Sequence, residues 1–171
     1  MRVVLVGYMA SGKSSVGKLL ARELGLEFLD LDAYIEEQQQ KSIKTIFSEK
    51  GEIYFRKLEH EMLSKVLDDH QDLMLSTGGG TPCYGNNMET ILQKSDHSIY
   101  LQLSISALVE RIKGEKEDRP LVKNIDDEDL PEFIGKHLFE RRQYYAQAKH
   151  ILECDGKDLE TVVSEIKQLL L

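Results

Sequence analysis

Residues 2–15 read RVVLVGYMASGKSS, and the fold follows from them. Val3 to Val6 is an apolar, β-branched run closed by a glycine, the pattern of a short buried strand. Gly7-x-x-x-x-Gly12-Lys13-Ser14 comes directly after it, the spacing of a phosphate-binding loop, or P-loop. Glycines let backbone N–H groups turn inward around a polyphosphate with no Cβ in the way. Lys13 is long enough to reach the β- and γ-phosphates, and the Ser14 hydroxyl is a hard ligand suited to Mg2+. The helix that follows directs its free amides and its dipole at the same anion. An ordinary glycine-rich turn would carry the same glycines. The strand before this one and the amphipathic helix after it make it a phosphate site.

Working outward, Lys13 to Leu24 is a predicted helix with Val16, Leu19, Leu20 and Leu24 on one face and Gly25 at its C-terminal cap. Glu27 to Leu31 is extended, completing a strand–helix–strand crossover. Helices are expected over 32–39, from a Ser42 cap to Gly51, and over 52–67. Leu73 to Leu75 is a strand that runs into Gly78-Gly79-Gly80. A helix over 86–93, a strand over 97–103 and a helix over 104–112 come next. Lys113 to Asn124 is charged, contains Gly114 and Pro120 and has no apolar period, so it reads as a mobile loop. Leu130 to Ala148 is a long helix with Phe133, Ile134, Leu138 and Tyr145 inward; a short strand at Ile151 and Leu152 and a helix over 159–170 close the chain.

Strands alternating with helices throughout predict an α/β fold: a doubly wound, parallel, five-stranded sheet flanked by helices, in one domain spanning 1–171. Ligands of such sheets bind at the carboxyl ends of the strands. The P-loop, Asp30 with Asp32, and Gly78 to Gly80 each follow a predicted strand, so all three should meet at one edge.

Apolar residues at 41% and charged residues at 30% of 171 fit a globular chain with a sizeable core. The formal net charge of -8 argues against a nucleic-acid partner, since no basic stripe offsets repulsion from the phosphate backbone. Cys83 and Cys154 form no CxxC pair and suggest neither a metal site nor a disulfide framework. The N-terminal apolar run is too short for a signal sequence or a membrane span. The expectation is a cytoplasmic protein, without nucleic acid or membrane, and a monomer.

Beyond the P-loop the chemistry is more open. Asp30 and Asp32 could hold Mg2+ and face a hydroxyl that must lose its proton, or the pair could simply serve helix capping, as an aspartate before a helix often does. Arg56 could meet a ligand, or pair with Glu52 or Glu59 on its own helix. Arg141 and Arg142 raise the same question. Three glycines after a strand point to close approach of backbone to a ligand, or to a flexible turn.

Taken in order, GYMASGKSSVGKLLA, FLDLDAYIE, IFSEKGEIYFRKLE, STGGGTP, DRPLV and FERRQYY resemble the shikimate kinase family over nearly the whole chain. The P-loop is shared by many kinases and NTPases; the Asp-x-Asp, GEIYFRKLE and Gly-Gly-Gly combination is far more specific. The resemblance implies a P-loop kinase fold with a lid at about 113–124 and a substrate-binding helical region at about 32–67. It implies ATP and Mg2+, and shikimate as the small-molecule partner. Ala10, Ser11, Gly12, Lys13, Ser14 and Ser15 would hold the ATP phosphates, with Ser14 ligating Mg2+ and Asp30 supporting it. Asp32 would bind the shikimate hydroxyls and orient or deprotonate the attacking one. Arg56 and Arg141 would bind the carboxylate, with Gly78, Gly79 and Gly80 closing over the ring. Arg119 would be the lid arginine, catalytic together with Lys13 and Asp32.

Some positions depart from the family pattern. The lid reads RIKGEKEDRPLV, without the Thr-Gly-Gly-Asn run common before the Arg-Pro pair, and Lys113 or Lys116 are the candidates to substitute. Gln143 stands where a proline is often found, and Asp155-Gly156-Lys157 lacks the usual adenine-loop signature, so no adenine contact is assigned. The rival reading is another small-metabolite P-loop kinase, such as a gluconate kinase. A regulatory GTPase needs Asn-Lys-x-Asp, and the chain has only Lys123-Asn124-Ile125-Asp126, in the wrong order.

Overall fold

The computed structural model describes residues 1–171. Five strands, β1 (Arg2–Val6), β2 (Glu27–Asp30), β3 (Leu73–Ser76), β4 (His97–Gln102) and β5 (His150–Glu153), form one parallel sheet in the order β2-β3-β1-β4-β5. After β1 the chain builds the β2/β3 side and then crosses to β4 and β5, so the order reverses at β1. That is where doubly wound sheets open a crevice. The register sets the strand ends level: Asp30 pairs with Ser76, and Ser76 with Leu5. The segments leaving β1, β2 and β3 therefore emerge side by side.

Val3 to Val6 and Leu73 to Leu75 are fully buried, as a parallel sheet covered on both faces requires. Each such side chain stabilises the fold by roughly 1.5–3 kcal/mol. The helices are α1 (Lys13–Leu24), α2 (Leu31–Gln39), α3 (Ile43–Lys50), α4 (Glu52–Asp69), α5 (Asn87–Lys94), α6 (Ile105–Lys113), α7 (Leu130–Tyr145) and α8 (Leu159–Leu170). Helix α1 meets the sheet through small residues: Gly17 lies so close to Phe28 that a Cβ there would come within 2.7 Å of the ring. Buried in α1 are Lys13, Val16, Gly17, Leu20 and Ala21, while Leu19 and Leu24, expected inside, are half-buried. None of the helices is long and apolar enough to cross a membrane.

The expected elements are all present, and the differences are at their ends. Leu31 opens α2 rather than closing β2, because Asp30 caps the helix by accepting from the Ala33 N–H. Helix α7 stops at Tyr145, not Ala148; the amides of Ala146, Gln147 and Ala148 close tight turns onto Arg142, Tyr144 and Tyr145. The segment 113–124 has more structure than its composition suggested. Lys113 ends α6, Lys116–Asp118 is a 3-10 turn, and Val122 is fully buried as an apolar anchor. A single anchored valine has no period to read.

Candidate active site

The P-loop lines one wall of a cleft of about 610 Å³ at the carboxyl ends of β1 and β3. Ala10 and Gly12 take left-handed conformations, φ 64° and 94°. For Gly12 this costs little; for Ala10 it is a strained position of the kind found at ligand sites. Lys13 is buried, and its Nζ donates to the Gly7 carbonyl (2.7 Å) and the Tyr8 carbonyl (3.0 Å). Burial pushes its ammonium down to about 8, helped by Arg119 and opposed by Asp32 and Asp30. Such a lysine gains from any anion that enters the loop.

Asp30 caps the helix and also meets the P-loop serine. One carboxylate oxygen caps α2, a contact worth about 1 kcal/mol, while the other accepts from Ser14 Oγ at 3.1 Å. These are hard oxygen donors side by side, the chemistry Mg2+ selects, with most of a coordination shell left for water and phosphate oxygens. No group of three His, Cys, Asp or Glu side chains stands together.

Asp32, in the first turn of α2, accepts no hydrogen bond from the protein through its carboxylate, which lies against Gly78. A Cβ on Gly78 would stand 3.1 Å and 3.2 Å from its two oxygens. Burial raises its carboxyl to about 6, with Asp30 and Glu59 adding and Lys13 opposing. A carboxylate in that range is ionised at neutral pH and still basic enough to take a proton in hydrogen-bond reach.

Gly79 and Gly80 form the turn after β3, and two guanidinium groups press against it. A Cβ on Gly80 would meet Arg56 Nη1 and Nη2 at 3.1 Å and Arg141 Nη2 at 3.3 Å; one on Gly79 would meet Arg141 Nη1 and the Met9 amide at 3.3 Å. A side chain at either position would push the guanidinium groups back by a few tenths of an ångström. Arg56 is fixed from behind: its Nη1 donates to Glu59 at 3.0 Å, its Nε lies 3.8 Å from Glu52, and it stacks 3.7 Å over Tyr84. Arg56 thus makes the helix ion pair weighed for it while its guanidinium still lies against the Gly80 turn. Glu59 is 1% exposed and also accepts from the Thr81 hydroxyl, tying Arg56 to the glycine turn. Arg142 lies over Phe139 instead, so of the two adjacent arginines Arg141 faces the site.

Arg119 reaches the cleft wall, held by Glu115 through Nε (2.8 Å) and Nη2 (2.6 Å). Lys113 and Lys116 do not line the cleft; they pair with Glu110 and Asp127. The basic residue found there is Arg111, whose Nη1 donates to the Ala10 carbonyl at 3.1 Å. Sequence reading missed Arg111 because one arginine in the last turn of α6 reads as a cap of its dipole. The far end of the cleft is lined by Cys154, Lys157, Asp158, Leu159 and Val162, which no motif marked. Tyr145 was expected inward as core, and it is, but its hydroxyl also donates to the Gly79 carbonyl.

A P-loop at the crossing point of a parallel sheet, an isolated carboxylate beside it and a pair of arginines across a glycine turn define a class: a P-loop kinase acting on a small anionic acceptor. The family model of shikimate kinase matches residues 9–171. The shikimate kinase of Flavobacterium psychrophilum is 48% identical over 170 residues, covering 99% of this chain and 98% of that one. Among solved structures, the shikimate kinase of Bacteroides thetaiotaomicron matches with a TM-score of 0.92 at 37% identity, covering 99% and 98% of the two chains. That of Acinetobacter baumannii, in complex with shikimate, matches with 0.87 at 30%, covering 99% and 92%. The chain belongs to the shikimate kinase family, an ATP-using group of phosphotransferases; the gluconate kinase alternative has no support among these matches.

Proposed function

We propose that this chain transfers the γ-phosphoryl group of ATP to the 3-hydroxyl of shikimate in a Mg2+-dependent reaction, within the chorismate branch of aromatic amino-acid synthesis. The observation that carries the reading is the convergence of Arg56 and Arg141 on one glycine turn beside Asp32. Two planar guanidinium forks suit a carboxylate, and a neighbouring ionised aspartate suits a hydroxyl of the same small ring.

Ala10 to Ser15 cradle the ATP phosphates. Ser14 and Asp30 hold Mg2+, which when bound neutralises charge on the β- and γ-phosphates. Lys13 exchanges its bonds to the loop carbonyls for phosphate oxygens. Asp32 orients the attacking hydroxyl and accepts its proton. Arg56 and Arg141 clamp the carboxylate, with Gly78 to Gly80 packed over the ring. Arg119 leaves Glu115 as the lid over 113–124 closes, bringing a cation to the transferring group and excluding water. Phosphoryl transfer asks mainly for position and charge stabilisation, and these residues supply both. Helices α2 to α4 form the acceptor side, and a monomer suffices for the reaction, since every group named belongs to one chain. Its place is the cytoplasm, without nucleic-acid or membrane partners; the net charge of -8 disfavours the first of these.

The methyl ester of shikimate tests the carboxylate reading. It keeps every hydroxyl and loses the anion, so kcat/KM should fall at least about 100-fold, the worth of two charge-assisted contacts. An ester that serves as well as the acid would remove the arginine pair from acceptor binding.

A further inference from the structure

Tyr8 lies inside the P-loop, yet it is neither a glycine nor a phosphate ligand. Its main chain belongs to the loop: the carbonyl accepts from Lys13 Nζ and from the Ser11 amide. Its side chain leaves the loop altogether. At 1% exposure it crosses to α7, where its hydroxyl lies 2.8 Å from His137 Nδ1, across a sequence separation of 129. The rings meet edge to face at 5.3 Å, and Phe133 backs the imidazole at 5.6 Å. This is the one hydrogen bond that joins the P-loop to α7.

The next residues along α7 show what the bond could control. His137, Arg141 and Tyr145 are spaced i, i+4, i+8, so they line one face of the helix. His137 holds the P-loop, Arg141 stands at the glycine turn, and Tyr145 donates to the Gly79 carbonyl. Arg141 is thus bracketed by two attachments, one turn on either side. The two arginines differ in how they are held. Arg56 has the buried Glu59 as its ion-pair partner, whereas Arg141 has no carboxylate partner. Where its guanidinium stands therefore depends on how α7 is fastened.

Burial holds the Tyr8 phenol protonated, pushed up to about 12, and keeps the His137 imidazole below its ordinary range, with Arg141 adding to the second effect. A phenol that keeps its proton beside an unprotonated imidazole makes a stable neutral hydrogen bond.

We propose that Tyr8 and His137 form a strut that sets the position of Arg141 relative to the P-loop, making them positioning residues for the acceptor carboxylate rather than for ATP. The strut rests on the acceptor reading above. It explains why a P-loop position would carry a phenol that points away from the phosphates.

The test is a set of four variants in steady-state kinetics with shikimate and ATP varied separately. Tyr8→Phe keeps the ring and removes the bond. The KM for shikimate should rise about three- to tenfold, the worth of one buried hydrogen bond, with kcat and the KM for ATP within about twofold. The ATP side is spared because the loop's own contacts run through the Tyr8 main chain. His137→Leu should match Tyr8→Phe, and the double variant should be no worse than either, since both remove one contact. His137→Asn, whose amide can bond the phenol from near the Nδ1 position, should keep the KM near the wild-type value. A shikimate KM that does not move in Tyr8→Phe overturns the strut. So does a parallel rise in both KM values, additive effects in the double variant, or failure of Asn to substitute for His137. Wild-type protein indifferent to shikimate would overturn the acceptor reading and the strut with it; active wild type with an unmoved Tyr8→Phe overturns the strut alone.

Discussion

Asp32→Asn separates what the site needs from what the fold prefers. The carboxyl is raised from 3.8 to about 6, chiefly by burial and then by Asp30 and Glu59. A folded-state value above the unfolded one means that ionisation costs the folded protein stability. The penalty is absent below pH 3.8, where both states are protonated, grows through the interval, and is complete above pH 6. A shift of about 2 units at about 1.36 kcal/mol each sets its ceiling near 3 kcal/mol. Asparagine keeps the shape and removes the charge, and no protein hydrogen bond to the carboxylate is lost with it. At pH 8, Asp32→Asn should be more stable than wild type by about 1–3 kcal/mol, a gain in Tm of several degrees for a chain of this size. The gain should shrink as the pH falls from 6 towards 4. Turnover should fall by about 100-fold or more with loss of the group that takes the hydroxyl proton. The same titration predicts that wild-type kcat/KM declines as pH drops through about 6. Urea unfolding at pH 8 and pH 4.5, with coupled-assay kinetics, reads all three quantities. A variant less stable than wild type at both pH values by the same margin, or one that still turns over normally, would refute the reasoning.

Lys13→Met should abolish phosphoryl transfer while the far-UV circular dichroism stays native; its Nζ bonds only to loop oxygens, and normal turnover would remove the P-loop from the mechanism. Arg56→Ala should raise the KM for shikimate about 10- to 100-fold with ATP affinity nearly unchanged, and should lower Tm because Glu59 stays buried without its guanidinium partner. A loss of ATP affinity would assign Arg56 to the nucleotide instead. Arg119→Ala should cut kcat by about 100-fold or more with Tm almost unmoved, since its pair with Glu115 is partly exposed and contributes little to stability; an equal fall in Tm would make it a structural residue.

How much of this was legible in the sequence depends on how local each cause is. The P-loop is local: two glycines, a lysine and a serine at fixed spacing carry their own conformation, and α1 begins and ends where its caps predict. The level strand ends followed from the alternation of elements, and they bring Asp30, Asp32 and Gly78 to one edge. Residues whose role is set by a distant partner were not legible. Arg111 matters because it reaches the Ala10 carbonyl across 101 residues, and Tyr145 because it reaches Gly79 across 66. Neither carries a pattern of its own. The lid misled for the opposite reason: Lys113 and Lys116 had the right charge near the right place, but nearby carboxylates claim them. Arg141 is distinguished from Arg142 by its spacing from Tyr145, which puts both on one face of α7.

The most direct measurement is ADP release with ATP and Mg2+, at low micromolar protein, with and without shikimate, gluconate or quinate. A shikimate-dependent phosphotransferase gives slow release alone, strong stimulation by shikimate, and little by the other two. Release that ignores shikimate, or that gluconate stimulates equally, would contradict that reading.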